Sequence, residues 1–126
     1  TGGYSPAPPS DYHKVDTESY DGSSWTEVGD LDAKRGSFAM WGTQTAAGIS
    51  GGYYELPNGS NSPVSKVEIW NGTSWTELNN LSQARWDITG SGTGGASALA
   101  AGGTESPTAG TEEWTADLTN KTITAS

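Results

Sequence analysis

The stretch Glu68-Ile-Trp-Asn-Gly-Thr-Ser-Trp-Thr-Glu-Leu-Asn-Asn-Leu-Ser-Gln-Ala-Arg85 repeats, at a shift of 50 residues and without a gap, Glu18-Ser-Tyr-Asp-Gly-Ser-Ser-Trp-Thr-Glu-Val-Gly-Asp-Leu-Asp-Ala-Lys-Arg35. Glu18/Glu68, Gly22/Gly72, Ser24/Ser74, Trp25/Trp75, Thr26/Thr76, Glu27/Glu77, Leu31/Leu81 and Arg35/Arg85 are identical, while Tyr20/Trp70, Asp21/Asn71 and Val28/Leu78 exchange like for like. Paired glycines mark the same period at Gly2-Gly3, Gly51-Gly52 and Gly102-Gly103. A third copy opens at Thr111-Glu-Glu-Trp114 and then fades, with Ile123 expected where the second Trp of the unit should stand. A period near 50 residues is that of a repeat architecture, in which each unit buries its faces against its neighbours.

Composition points to an all-β chain. Eighteen Gly and six Trp, with many Ser and Thr, supply turn formers and strand formers but little helix propensity. No apolar run is long enough for a membrane span. The formal charge of −9 and pI near 4.2 exclude a nucleic-acid partner, which needs a basic patch, and do not favour an anionic membrane. With no cysteine there is neither a disulfide framework nor a thiolate site. Asp30-Leu-Asp32 falls short of a calcium loop, so neither a metal nor a cofactor is expected.

Punctuation by glycine and polar residues sets four strands per unit. In the second unit these are Ser37–Gly42, Ala46–Ser50, Val67–Trp70 and Ser74–Leu78; the first unit supplies Thr17–Tyr20 and Ser24–Val28. In the third, Asp87–Ser91 and Ala96–Ala101 flank a turn at Gly92–Gly95. Asp21-Gly22 and Asn71-Gly72 predict two-residue hairpin turns, because glycine reaches positive φ without a steric penalty.

These residues resemble the kelch family: a second strand ending in a double glycine (Gly51, Gly52), an aromatic on the third strand (Trp70), a Trp on the fourth (Trp75), and an Arg opening the next unit (Arg85). The resemblance implies a β-propeller whose blades are four antiparallel strands, with about two and a half blades here. Residues 1–34 would form a half blade with a Pro-rich loop, 35–84 a complete blade, and 85–126 a final blade with a degenerate fourth strand. The short Gly/Trp-rich wording is also similar to kelch-type repeats in virion and tail-associated proteins of tailed phages, cyanophages among them. That implies a virion or extracellular location. The expected partners are other blades, in the same longer chain or in copies of this one, with virion proteins or surface glycan beyond them.

Within that frame Tyr20, Trp25, Trp70, Trp75 and Trp114 are expected to pack blade against blade, and Gly2, Gly3, Gly51, Gly52, Gly102 and Gly103 to admit a neighbouring strand closely. Arg35 and Arg85 should bond loop carbonyls or a Glu between blades.

No catalytic residue is expected. The single His13, in a Pro-rich loop, reads as an exposed loop histidine rather than a base or ligand. Galactose oxidase shares the kelch scaffold but needs a Cys-modified Tyr, which this composition excludes. The paired carboxylates Glu18/Glu68 and Glu27/Glu77 recur with the period, as structural residues do. The binding candidates are therefore residues where the units differ: Trp41, which replaces Ser91; Trp86, which replaces Gly36; and Tyr53, Tyr54 and Asn58 in a loop with no common wording. Aromatics beside Asn and Thr suit stacking on a sugar. Two roles follow: a structural or adhesion module of a virion, or a free lectin-like or protein-interaction domain. The Asn-x-Ser/Thr triplets at Asn58, Asn71, Asn80 and Asn120 are explained by their turns.

Overall fold

A computed structural model describes residues 1–3, 13–56, 58–95, 97–104, 110–115 and 120–123. The Pro-rich loop at 4–12 and most of the expected variable loop at 104–110 lie outside the described residues. The chain is all-β, with twelve strands and no helix among the described residues, so no helix there could cross a membrane.

The strands are β1 (Glu18–Tyr20), β2 (Trp25–Glu27), β3 (Ala39–Thr43), β4 (Ala46–Ser50), β5 (Tyr53–Glu55), β6 (Asn61–Pro63), β7 (Val67–Trp70), β8 (Trp75–Glu77), β9 (Thr89–Gly94), β10 (Ser97–Ala101), β11 (Thr111–Thr115) and β12 (Asn120–Ile123). They form two four-stranded antiparallel sheets, ordered β3-β4-β7-β8 and β9-β10-β11-β12, and two hairpins, β1-β2 and β5-β6. β1-β2 is the repeat equivalent of β7-β8, so the three units appear in chain order as two strands, four and four. β5-β6 is an extra hairpin between β4 and β7, where the sequence predicted only a loop.

The core lies between the two large sheets. Ala39, Trp41, Val67 and Leu81 meet Ile88, Ala98 and Ala100, with Ile69 packed beside them. The period-2 alternation of strands explains this face: Ala39 and Trp41 point one way and Met40 the other, where it is half exposed. Trp41 is accommodated because the facing strand β9 is glycine at alternate positions. A Cβ on Gly92 would stand 2.7 Å from Trp41 Cδ1, and one on Gly90 3.3 Å from its Cε3.

The first two double glycines each meet the Arg that opens the next unit. Gly52 donates to the Arg85 carbonyl at 2.9 Å and Gly3 to the Arg35 carbonyl at 3.2 Å. Gly51 adopts φ +65°, and a Cβ there would fall 2.5 Å from the Arg85 oxygen, a contact only glycine permits. The approaching group is thus a backbone carbonyl.

The same arginines work inside their own units. Arg35 donates through Nη1 to the Gly51 carbonyl (3.2 Å) and the Lys66 carbonyl (2.7 Å), and through Nη2 to Glu68. Arg85 repeats the pattern with Gly102 (3.3 Å), Gly110 (2.9 Å) and Glu112 (2.6 Å). The expected carbonyl partners are found, and the expected Glu partner lies within the unit rather than between units; the Glu itself forms the link between units. Glu68 Oε2 accepts the Asp32 amide at 2.8 Å, and Glu112 Oε2 the Ser82 amide at 2.8 Å.

Three local expectations also change. The loops after β1 and β7 span four residues, because Tyr20 pairs with Trp25 and Trp70 with Trp75. Asp21 and Asn71 accept amides two and three residues on, through their side chains, so only Gly22 and Gly72 need positive φ. β9 runs through the glycines to Gly94, against the turn expected at Gly92–Gly95, because the sheet opposite leaves room only for hydrogen there. Ile123 pairs with Thr111 and so holds the register of Leu78; Asn120, opposite Trp114, holds that of Trp75.

The aromatic expectation divides. Trp70 and Trp114 are buried, and Trp75 donates Nε1 to Thr17 Oγ1 at 2.9 Å across the junction between units. Tyr20 and Trp25 are 43% and 65% exposed, and their rings meet with centroids 5.0 Å apart. Among the described residues no sheet lies against them, whereas β1-β2 lies against Trp70 and Trp75.

Candidate functional site

The four-residue loops and the β3-β4 turn lie at one end of the sheets. The opposite end is built by the segments that enter β1 and β9 and leave β4 and β10. There Gly36 bridges to Tyr53 and Trp86 to Thr104, each within its own unit.

A row of rings crosses this end, one from each unit. His13 meets Tyr53 edge-on at 4.9 Å between centroids, and Tyr53 meets Trp86 at 5.6 Å. His13 is buried, which corrects the expectation of an exposed loop histidine. Its Nδ1 accepts the amide of Glu55 at 3.2 Å, so that nitrogen carries no proton and the ring anchors the start of the β5-β6 hairpin. Gly36 makes room for it, since a Cβ at that position would lie 3.0 Å from the imidazole Cδ2. In the next unit Trp86 occupies the position of Gly36.

The binding candidates separate by place. Tyr53 and Trp86 stand together, both half-buried, and Tyr54 and Glu55 follow on the same short strand. Asn58 lies at the exposed tip of the hairpin, where its Oδ1 accepts the Ser60 amide at 3.0 Å. Trp41 does not join them. It is buried between the large sheets, its Nε1 donating to the Gly94 carbonyl at 3.1 Å, and its ring packs on Trp114, so it is corrected to a core residue. His13 was missed because its partner lies 42 residues away, and no local pattern marks it.

The recurrent carboxylates are committed elsewhere. Glu68 and Glu112 are buried against arginine. Burial disfavours the charged Arg35 guanidinium more than Glu68 restores it, so its pKa falls below the ordinary value. On the surface, Lys66 bridges Asp32 (2.8 Å) and Glu77 (2.6 Å), which lowers the pKa of Asp32 and raises that of Lys66. No cluster of three or more potential metal-binding side chains occurs among the described residues.

No family model matches the chain, and no curated protein matches it in sequence.

Proposed function

We propose that the chain is a run of about two and a half kelch-type propeller blades, divided at 1–34, 35–84 and 85–126. It serves as a non-enzymatic structural or adhesion module of a phage virion, in a tail fibre, appendage or decoration. In this reading the end carrying Tyr53 and Trp86 recognises host-surface glycan.

The observation that carries the reading is the row His13, Tyr53, Trp86. It places two half-buried aromatic faces beside Glu55 and Thr104 on a frame of packed sheets. Such faces stack on the apolar side of a sugar ring while neighbouring polar groups take its hydroxyls. The excess of negative charge favours a neutral or cationic glycan over a polyanion. Two successive four-stranded sheets, packed face to face and closed by the same Arg–Glu contact, support the blade reading. The use of Glu68 and Glu112 as buried arginine partners supports a role without catalysis.

Titration of the chain with host-surface polysaccharide tests the proposal. Saturable binding lost in Trp86→Ala, with unchanged circular dichroism, is the expected result. Capture of a virion protein with no glycan binding would move the role to particle assembly and overturn the recognition half of the proposal.

A further inference from the structure

We infer that Ser37 and Asp87 form the polar half of the sugar site, their side chains taking hydroxyl groups of the glycan whose apolar face lies on Tyr53 and Trp86. The inference rests on the glycan reading above and names the residues that give that site its specificity. Ser37 and Asp87 hold the same place in successive units, directly after Gly36 and Trp86 and just before β3 and β9.

Both adopt a left-handed backbone, Ser37 at φ +52° and Asp87 at φ +53°. Every other described residue with positive φ is glycine, at ten positions from Gly2 to Gly103. A side chain in this conformation costs free energy, which a short polar residue commonly recovers through a local hydrogen bond. These two do not recover it in that way. Among the described residues neither the Ser37 hydroxyl nor the Asp87 carboxylate has a hydrogen-bonding partner. If the turn alone were at stake, glycine would serve here as it does at the other ten positions. Polar side chains kept on a strained backbone without an internal partner point to a partner from outside.

The backbone sets the pair beside the aromatic rings. Gly36 donates to the Tyr53 carbonyl at 2.9 Å and accepts the Tyr53 amide at 3.0 Å, Trp86 accepts the Thr104 amide at 2.8 Å, and Asp87 donates to the Ser37 carbonyl at 3.0 Å. Ser37 and Asp87 are therefore backbone neighbours, one next to the residue that holds Tyr53 and the other next to Trp86. Both are exposed. Ser37 is exposed with the following unit bonded to it, and Asp87 with the preceding unit bonded to it, so a neighbour on neither side covers this position. The serine hydroxyl donates and accepts, whereas an ionised carboxylate only accepts and so takes the protons of sugar hydroxyls. A neutral glycan with free hydroxyls is the matching class; a sulfated one would be repelled.

The experiment titrates the wild-type chain and its Trp86→Ala, Ser37→Gly and Asp87→Gly variants with neutral host-surface polysaccharide and follows the thermal unfolding of each. Both glycine variants are expected to melt at a higher temperature than wild type, because glycine takes the left-handed backbone without strain. Asp87→Gly should bind the polysaccharide about tenfold more weakly through loss of a charge-assisted hydrogen bond, and Ser37→Gly should weaken binding to a smaller extent. Wild-type affinity in both glycine variants, with binding lost in Trp86→Ala, would overturn this inference and leave the aromatic site standing. Melting temperatures unchanged or lowered in both would show that the backbone carries no strain, and would overturn it as well. No binding by the wild-type chain would remove the glycan reading and this inference with it.

Discussion

The guanidinium of Arg35 donates to the carboxylate of Glu68 across 33 residues of sequence, and neither side chain is exposed to solvent. The pair closes the unit by joining the segment that leads into β3 to β7. Its carbonyl bonds on both sides hold the double glycine in place, so one side chain organises the edge of the sheet and the turn that leaves it. Arg85 and Glu112 repeat the arrangement at 2.6 Å.

Removing one partner leaves a buried charge uncompensated. Glu68→Gln or Arg35→Met is expected to lower stability by about 3–5 kcal/mol, whereas Arg35→Met combined with Glu68→Leu should lose less than the sum of the two. Urea denaturation of the four proteins measures this. Single variants within about 1 kcal/mol of wild type would deny the pair its structural role.

The double glycine gives a second test. Gly51→Ala places a methyl on the Arg85 carbonyl at a positive φ. Gly59→Ala has a similar φ of +81°, but its nearest neighbour is a Glu55 side-chain oxygen at 3.9 Å. Gly59→Ala should cost only the left-handed backbone, about 1–2 kcal/mol, and Gly51→Ala clearly more. Equal melting temperatures for the two variants would contradict the close approach of the carbonyl.

Tryptophans alike in sequence should differ in weight. Trp41→Ala empties the space between the sheets and is expected to cost about 3–5 kcal/mol. Trp25→Ala, in the chain as described, removes a largely exposed ring and should stay within about 0.5 kcal/mol. Equilibrium unfolding distinguishes the two, and a large loss at Trp25 would place an unseen partner over its face.

Acid should separate two otherwise equivalent turns. Asp21 accepts the Ser24 and Ser23 amides and the Ser23 hydroxyl, and these bonds hold its pKa down at about 2, from 3.8. A lowered carboxylate pKa adds stability above the unfolded value, and that contribution is lost as pH falls from near 4 through about 2. Asn71 makes the same amide bonds without a titrating group. Hydrogen exchange at Ser23 and Ser24 should therefore accelerate towards pH 2 relative to Thr73 and Ser74, after correction for intrinsic rates. Parallel behaviour of the two turns would contradict the carboxylate's role.

Repetition made the sheets legible, because Trp70, Trp75, Arg85 and Gly51-Gly52 state a spacing that local propensity alone would leave ambiguous. What escaped was set by contacts between units. Trp41 and Trp86 look alike in the sequence as departures from the repeat, yet β9's glycines draw the first into the core, while Gly36 and Tyr53 leave the second at the end of the sheets. His13 carried no signal, since its surroundings come from Gly36, Tyr53 and Glu55. The β5-β6 hairpin read as loop because its strands are three residues long and Tyr53-Tyr54-Glu55 shows no alternation.

The most direct test of the propeller reading is an experimental structure of the assembly in which the chain works, by cryo-electron microscopy or crystallography. Blades predict that the sheet beginning with β3 and the sheet beginning with β9 are related by rotation about a common axis, with β3 and β9 nearest that axis and further four-stranded sheets completing the ring. Sheets stacked by translation into an open array, with no shared axis beside β3 and β9, would contradict it.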